Sequence, residues 1–141
     1  MVYTQYTEKM IVIKLMLPPI SPAAPKPLYE QIIDGIKREV GAEHLPAHTP
    51  LPSFRALAEE LLVSLITVKR AYEELERDGI IYRKQGLGTF VSENGAARSR
   101  EIKHRHAEQL LRQALREGVE AGLRPNELLR MTKDILSEKE E

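Results

Sequence analysis

Residues 61–72 read LLVSLITVKRAY, and how this stretch is read decides the fold. Ser64 stands where a serine hydroxyl can cap the first turn of a helix. After it, Val68, Ala71, Tyr72 and Leu75 recur three and four residues apart, the spacing of one buried helical face. Lys69 and Arg70 lie off that face. Leu65 and Ile66 put two bulky apolar side chains in the first turn, on a helix that otherwise turns polar groups outward.

The same pattern continues upstream. In LPSFRALAEELL (51–62) Ser53 precedes a short helix with Leu57, Ala58 and Leu61 inward. Further back, Leu28, Ile32, Ile36 and Val40 mark a longer helix, with Pro27 suited to its first turn and Gly41 to its end. The intervening AEHLPAHTPLP reads as a turn. Downstream, Gly79 follows Asp78 as a left-handed stop. IIYRK and TFV then flank QGLG, a β-hairpin signal. Helix, helix, short turn, helix, hairpin is the order of a winged helix-turn-helix, in which the second helix of the pair enters a DNA major groove. The expected class is α+β, mainly α: an N-terminal winged helix-turn-helix (three helices plus a β-hairpin wing) over residues 26–94, followed by a two-helix tail over 99–141.

Composition limits the alternatives. The chain has 141 residues, 21 Lys and Arg against 21 Asp and Glu, no cysteine and no tryptophan. It has no global basic charge, so any nucleic-acid affinity must come from local clustering. Without cysteine there is no disulfide framework, which fits a reducing cytoplasm. The longest apolar run, MIVIKLML (10–17), is interrupted by Lys14 and is shorter than a membrane span. With the proline-rich stretch after it, it forms an extension over residues 1–25, read either as a flexible segment or as an arm docking on a partner subunit. Metal and catalytic chemistry find no support. His104 and His106 are two apart and face different sides of a helix, His44 and His48 flank Pro46 in a loop, and no HExxH or paired-carboxylate arrangement exists. No cofactor is expected.

The spaced elements Pro27-Leu28-Tyr29, Leu51-Pro52-Ser53, Arg55, Leu57-Ala58, Val63-Ser64, Thr67-Val68, Ala71-Tyr72, Leu75-Glu76, Gly79 and Gly86-x-Gly88-Thr89-Phe90 closely resemble the DNA-binding domain of GntR-type bacterial transcription regulators. The short remainder of the chain looks like the short-tailed YtrA-like group, in which two tail helices serve dimerisation and which often represses transporter operons. The resemblance implies a cytoplasmic homodimer on a near-palindromic double-stranded operator. The third helices would enter successive major-groove faces about 34 Å apart. It also implies roles for Ser53 and Arg55 at the start of the second helix, and for Ser64, Leu65, Thr67, Lys69 and Arg70 on the third. Arg83, Lys84, Gln85, Gly86, Gly88 and Thr89 would form a wing against the phosphate backbone. Three positions depart from the family pattern: Ala47-His48 replaces a common Pro-Gly, Leu62 a common glycine, and Leu65 a common base-reading arginine. A winged protein-interaction module without DNA binding is the alternative.

In the tail, Ala107, Leu111, Ala114, Gly118 and Ala121 form a stripe of small and apolar residues, widened by Leu115. Leu128 and Ile135 on the last helix can cover it. Two helices of this size cannot bury such a surface alone, so an isologous contact with a second copy is expected. The sequence names no small-molecule effector.

Overall fold

The computed structural model describes residues 20–139. Residues 1–19 of the expected extension lie outside the described residues. The elements are α1 (Leu28–Gly41), β1 (Pro50–Leu51), α2 (Phe54–Leu61), α3 (Leu65–Arg77), β2 (Ile81–Lys84), β3 (Gly88–Val91), α4 (Gly95–Glu120) and α5 (Pro125–Glu138). They divide into a head that runs through Glu101 and a tail from Ile102 onward.

The head is built as the periodicity requires. Ile32, Ile36 and Val40 of α1, Leu57 of α2, and Val68, Ala71, Tyr72 and Leu75 of α3 are all buried, joined by Ile80, Ile81 and Val91 of the wing. α3 ends at Asp78, and Gly79 takes the left-handed conformation (φ 76°) that turns the chain into the wing. A 3.4 Å ion pair from Lys37 to Asp78 joins α1 to the end of α3.

Three features differ from expectation. The sheet has three strands in the order β1-β3-β2, all antiparallel. The loop between α1 and α2 thus supplies a two-residue strand, Pro50 opposite Phe90 and Leu51 opposite Thr89. Second, α1 ends at Gly41 as its sequence suggests, but the left-handed residue that follows is not a glycine. Gly41 stays helical, Ala42 caps the helix, and Glu43 is the residue with positive φ (62°). A Cβ at position 41 would make only ordinary contact, 3.4 Å from the Ser99 hydroxyl oxygen, so neither backbone nor packing demands glycine there. Third, α4 starts at Gly95, ahead of the expected start of the tail at residue 99. Its first turns are held on the head by hydrogen bonds from Ser99 Oγ to the Lys37 carbonyl (2.6 Å), from Arg98 Nε to the Asp78 carbonyl (3.0 Å) and from an Arg100 guanidinium nitrogen to the Gly41 carbonyl (2.8 Å). Residues 20–26 also belong with α1, since the Gln31 side chain accepts from the Ser21 backbone N–H and donates to the carbonyls of Ser21 and Lys26.

Candidate nucleic-acid interface

Both serines cap as their spacing predicts. Ser53 Oγ accepts a 3.1 Å hydrogen bond from the Ala56 N–H, and Ser64 Oγ accepts one of the same length from the Thr67 N–H. Each satisfies an N–H that a helix start otherwise leaves unpaired, and the remaining first-turn donors keep their positive end outward. Thr67 is half-buried, with its hydroxyl 2.6 Å from that of Ser64, so the two form one polar pair at the start of α3.

Beside these caps, Arg55 and Lys69 are exposed, as is Lys84 on the wing. No described carboxylate lies within ion-pair reach of any of the three. Arg70 is placed differently. Its guanidinium lies 3.8 Å over the Tyr29 ring, donates to the Tyr29 hydroxyl (3.1 Å) and is 3.7 Å from Glu74. It clasps α3 to the start of α1. At the start of α3, Leu65 is 43 % exposed, one turn ahead of Val68 at the open end of the buried stripe, and Ile66 is 78 % exposed and off the face that carries Val68 and Tyr72.

The wing turns at its glycines. The Leu87 N–H donates to the Lys84 carbonyl (2.9 Å), and Gly86 takes φ 77°, a conformation with little cost only for glycine. Gly88 has φ 122° and pairs with Lys84. Aromatic packing fixes the hairpin. Tyr82 stacks on Phe90 (5.5 Å between centroids), and its hydroxyl is 2.9 Å from His48 Nδ1. On the other side Arg83 lies 4.8 Å over the Phe54 ring, which packs edge-on against Tyr72. Sequence reasoning assigns no role to Phe54 or Tyr29, although Tyr29 lies within a motif of the resemblance. The wing and the start of α2 line one open cleft of about 530 Å³, with Ser53, Arg83, Lys84, Gln85, Gly86 and Thr89 on its walls. The structure therefore gathers the wing residues with Ser53. Arg55, Lys69, Leu65 and Ile66 lie outside that cleft.

Within the tail, α5 packs on α4 where Gly118 leaves room: a Cβ at 118 would fall 2.5 Å from a Leu128 methyl. Arg124 is the first cap of α5, its N–H donating to Glu127 Oε2 (2.8 Å). Leu111, Leu115, Val119, Pro125, Leu128 and Leu129 line an apolar groove of about 490 Å³. Ala107, Ala114 and Ala121 are exposed, as are Leu110, Leu111, Leu115, Ile135 and Leu136. No helix among the described residues is long and apolar enough to cross a membrane.

Comparison with known proteins agrees with this geometry. The profile of "Bacterial regulatory proteins, gntR family" matches residues 28–91, the span from α1 to the end of the wing. The chain is 35 % identical over 116 residues to the HTH-type transcriptional repressor YtrA of Bacillus subtilis, covering 82 % of this chain and 89 % of that one. The alignment is longer than the head, so the likeness continues into the tail. Among solved structures, a transcriptional regulator from Oenococcus oeni superposes with a TM-score of 0.67 at 32 % identity, covering 82 % of this chain and 96 % of that one. YtrA from Sulfolobus acidocaldarius, a GntR-family transcription factor, does so with 0.57 at 28 %, covering 71 % and 97 %. With its capped helix pair, its wing and its likeness to the YtrA proteins, the chain belongs to the GntR family of bacterial regulatory proteins.

Proposed function

We propose that this chain is a homodimeric, sequence-specific DNA-binding transcription regulator of the cytoplasm that acts as a repressor. The observation that carries DNA binding is a set of exposed cations without a carboxylate partner among the described residues. These are Arg55, Lys69 and Lys84, beside two serine-capped helix starts and a glycine-turned wing. Phosphate oxygens suit such N–H groups and cations. Acidic residues outnumber basic ones over residues 26–94, so binding rests on the local field of this face and is strongly salt-dependent. Repression is supported by the name of the B. subtilis relative.

Dimerisation is supported by the tail. None of its described residues is buried, while its large apolar side chains remain open to water. A second copy on the groove between α4 and α5 removes that surface from water, and a twofold contact makes the two heads equivalent. A near-palindromic operator follows, with half-sites about 34 Å apart or a multiple of that.

The exposed Leu65 and Ile66 favour a second reading, a winged module that binds protein in place of DNA. Fluorescence anisotropy with duplexes drawn from upstream of the chain's own gene, titrated at several salt concentrations, separates the two. A complex that weakens steeply with salt supports the regulator. The absence of any salt-dependent complex supports the protein-binding module.

A further inference from the structure

Leu65 and Ile66 stand at the start of α3, beside the face proposed to meet DNA; Leu65 continues the buried stripe into the open, 43 % exposed, and the fold gives Ile66 nothing to pack on. The core of α3 is complete without them: Val68, Ala71, Tyr72 and Leu75 are each 0–1 % exposed. Ile66 is a β-branched residue, 78 % exposed in a first helical turn, where it gives the helix neither propensity nor packing. Around the pair the surface is polar and cationic. Ser64 caps the turn, Lys69 stands one turn beyond Leu65, and no acidic residue occurs on α3 before Glu73. An acidic protein surface would match the cation alone. The short apolar spot beside it fits a ligand that is anionic at its edges and apolar at one or two points.

The major groove offers such a ligand. Among base-pair edges, guanine, cytosine and adenine present only hydrogen-bonding groups, and the one apolar group is the C5-methyl of thymine. An aliphatic side chain pressed on a guanine or cytosine edge strips water from donors and acceptors without replacing it. On a thymine methyl it removes two apolar surfaces from water together. We propose that Leu65 and Ile66 are specificity-determining residues of the recognition helix, selecting half-sites that present thymine C5-methyl groups, while Lys69 and Arg55 hold the flanking phosphates. This rests on the DNA-binding reading of the same face.

The experiment is to select duplexes from a random pool with the full chain, then to replace each thymine of the selected site by deoxyuridine, which removes only the methyl. The same series is run with the Leu65→Ala, Ile66→Ala double variant. Both side chains are exposed, and unchanged thermal unfolding checks that the variant keeps its fold. The expected result is a loss of about fourfold in affinity at one or two positions per half-site, the factor matching the transfer of one methyl-sized group, and no such loss in the double variant. Deoxyuridine without effect at every position overturns the proposal and leaves the regulator reading intact. A loss of equal size in both proteins also overturns it, because the methyl is then read elsewhere. If no duplex is enriched in a salt-dependent way, the regulator reading itself fails and this inference falls with it.

Discussion

The hydroxyl of Tyr72 donates a 2.8 Å hydrogen bond to the carbonyl of Pro52, so the inner face of α3 is tied to the residue that leads into the cap of α2. The ring also packs edge-on against Phe54, 5.2 Å away. One buried side chain thereby sets the spacing between the two helix starts of the DNA-binding face. Tyr72→Phe keeps the ring and strands the carbonyl, which costs about 1–2 kcal/mol of stability. Burial pushes the Tyr72 phenol well above its ordinary value of 10.0. The folded state then holds a proton that the unfolded chain releases. The stability linked to this group is complete below pH 10.0 and is lost as pH rises beyond it. Urea midpoints at neutral pH and above pH 10.0 check both points: the variant starts lower and lacks this alkaline component.

Leu62 ends α2 in the left-handed region (φ 56°, ψ 44°) with its side chain 92 % exposed. A branched side chain there carries backbone strain of about 1 kcal/mol and gains nothing from burial. Leu62→Gly is expected to raise stability by about 0.5–1 kcal/mol without changing affinity for DNA. Denaturant titration of the two proteins gives the sign directly. A lower midpoint in the glycine variant would mean that the leucine covers apolar surface after all.

The contrast between these residues shows what a one-dimensional pattern can carry. The three head helices were legible because their buried faces repeat within a turn or two, and the two caps because a serine hydroxyl reaches an N–H only three residues on. The wing glycines were legible because a tight turn demands them. β1 was not, since its two residues are strand only through pairing with β3, some forty positions away. The first turns of α4 were hidden for the same reason: they carry no apolar stripe, their buried residues being Gly95 and Ser99, and Arg98, Ser99 and Arg100 are fixed by carbonyls of α1 and of Asp78. At the candidate site, residue types and spacing pointed to the starts of α2 and α3 and to the wing. They could not name the partner that sets Arg70 apart from Arg55, because Tyr29 lies in another helix.

That distinction gives a paired prediction. Arg55→Ala removes an exposed, uncommitted guanidinium and is expected to weaken duplex binding by about 1.5–3 kcal/mol, the range of a hydrogen bond to a charged phosphate, with the melting temperature unchanged. Arg70→Ala removes the clasp on Tyr29 and is expected to lower the melting temperature and to weaken binding less. Anisotropy and thermal unfolding on both variants form the check. Equal losses of affinity would mean that Arg70 leaves Tyr29 to meet the duplex.

Lys69 and Lys84 are assigned to phosphates, which carry no sequence information. Each change to alanine is expected to weaken selected and unrelated duplexes alike. It should also flatten the slope of log affinity against log salt by about 0.9 for each phosphate that is no longer neutralised. A Lys69→Ala chain that failed to discriminate between duplexes, with its salt slope intact, would reassign Lys69 to a base edge.

The tail carries the last prediction. Leu115 lies on the groove between α4 and α5, partly exposed beside Leu111 and Val119. In a dimer built on this groove, Leu115→Glu buries a carboxylate without a partner, a cost large enough to dissociate a modest interface. Sedimentation equilibrium should show a dimer for the parent chain and a monomer for the variant. The head should melt as before, because its core contains no tail residue. Truncation after Glu101 makes the same point without introducing a charge: it removes the tail and keeps the hydrogen bonds of Arg98, Ser99 and Arg100 that hold the first turns of α4. Cutting before Ser99 would confound loss of the dimer with loss of that anchor. Both proteins should bind a single half-site duplex as the parent head does and lose the added affinity of the full operator. A dimer that survived both changes would place the subunit contact outside the tail.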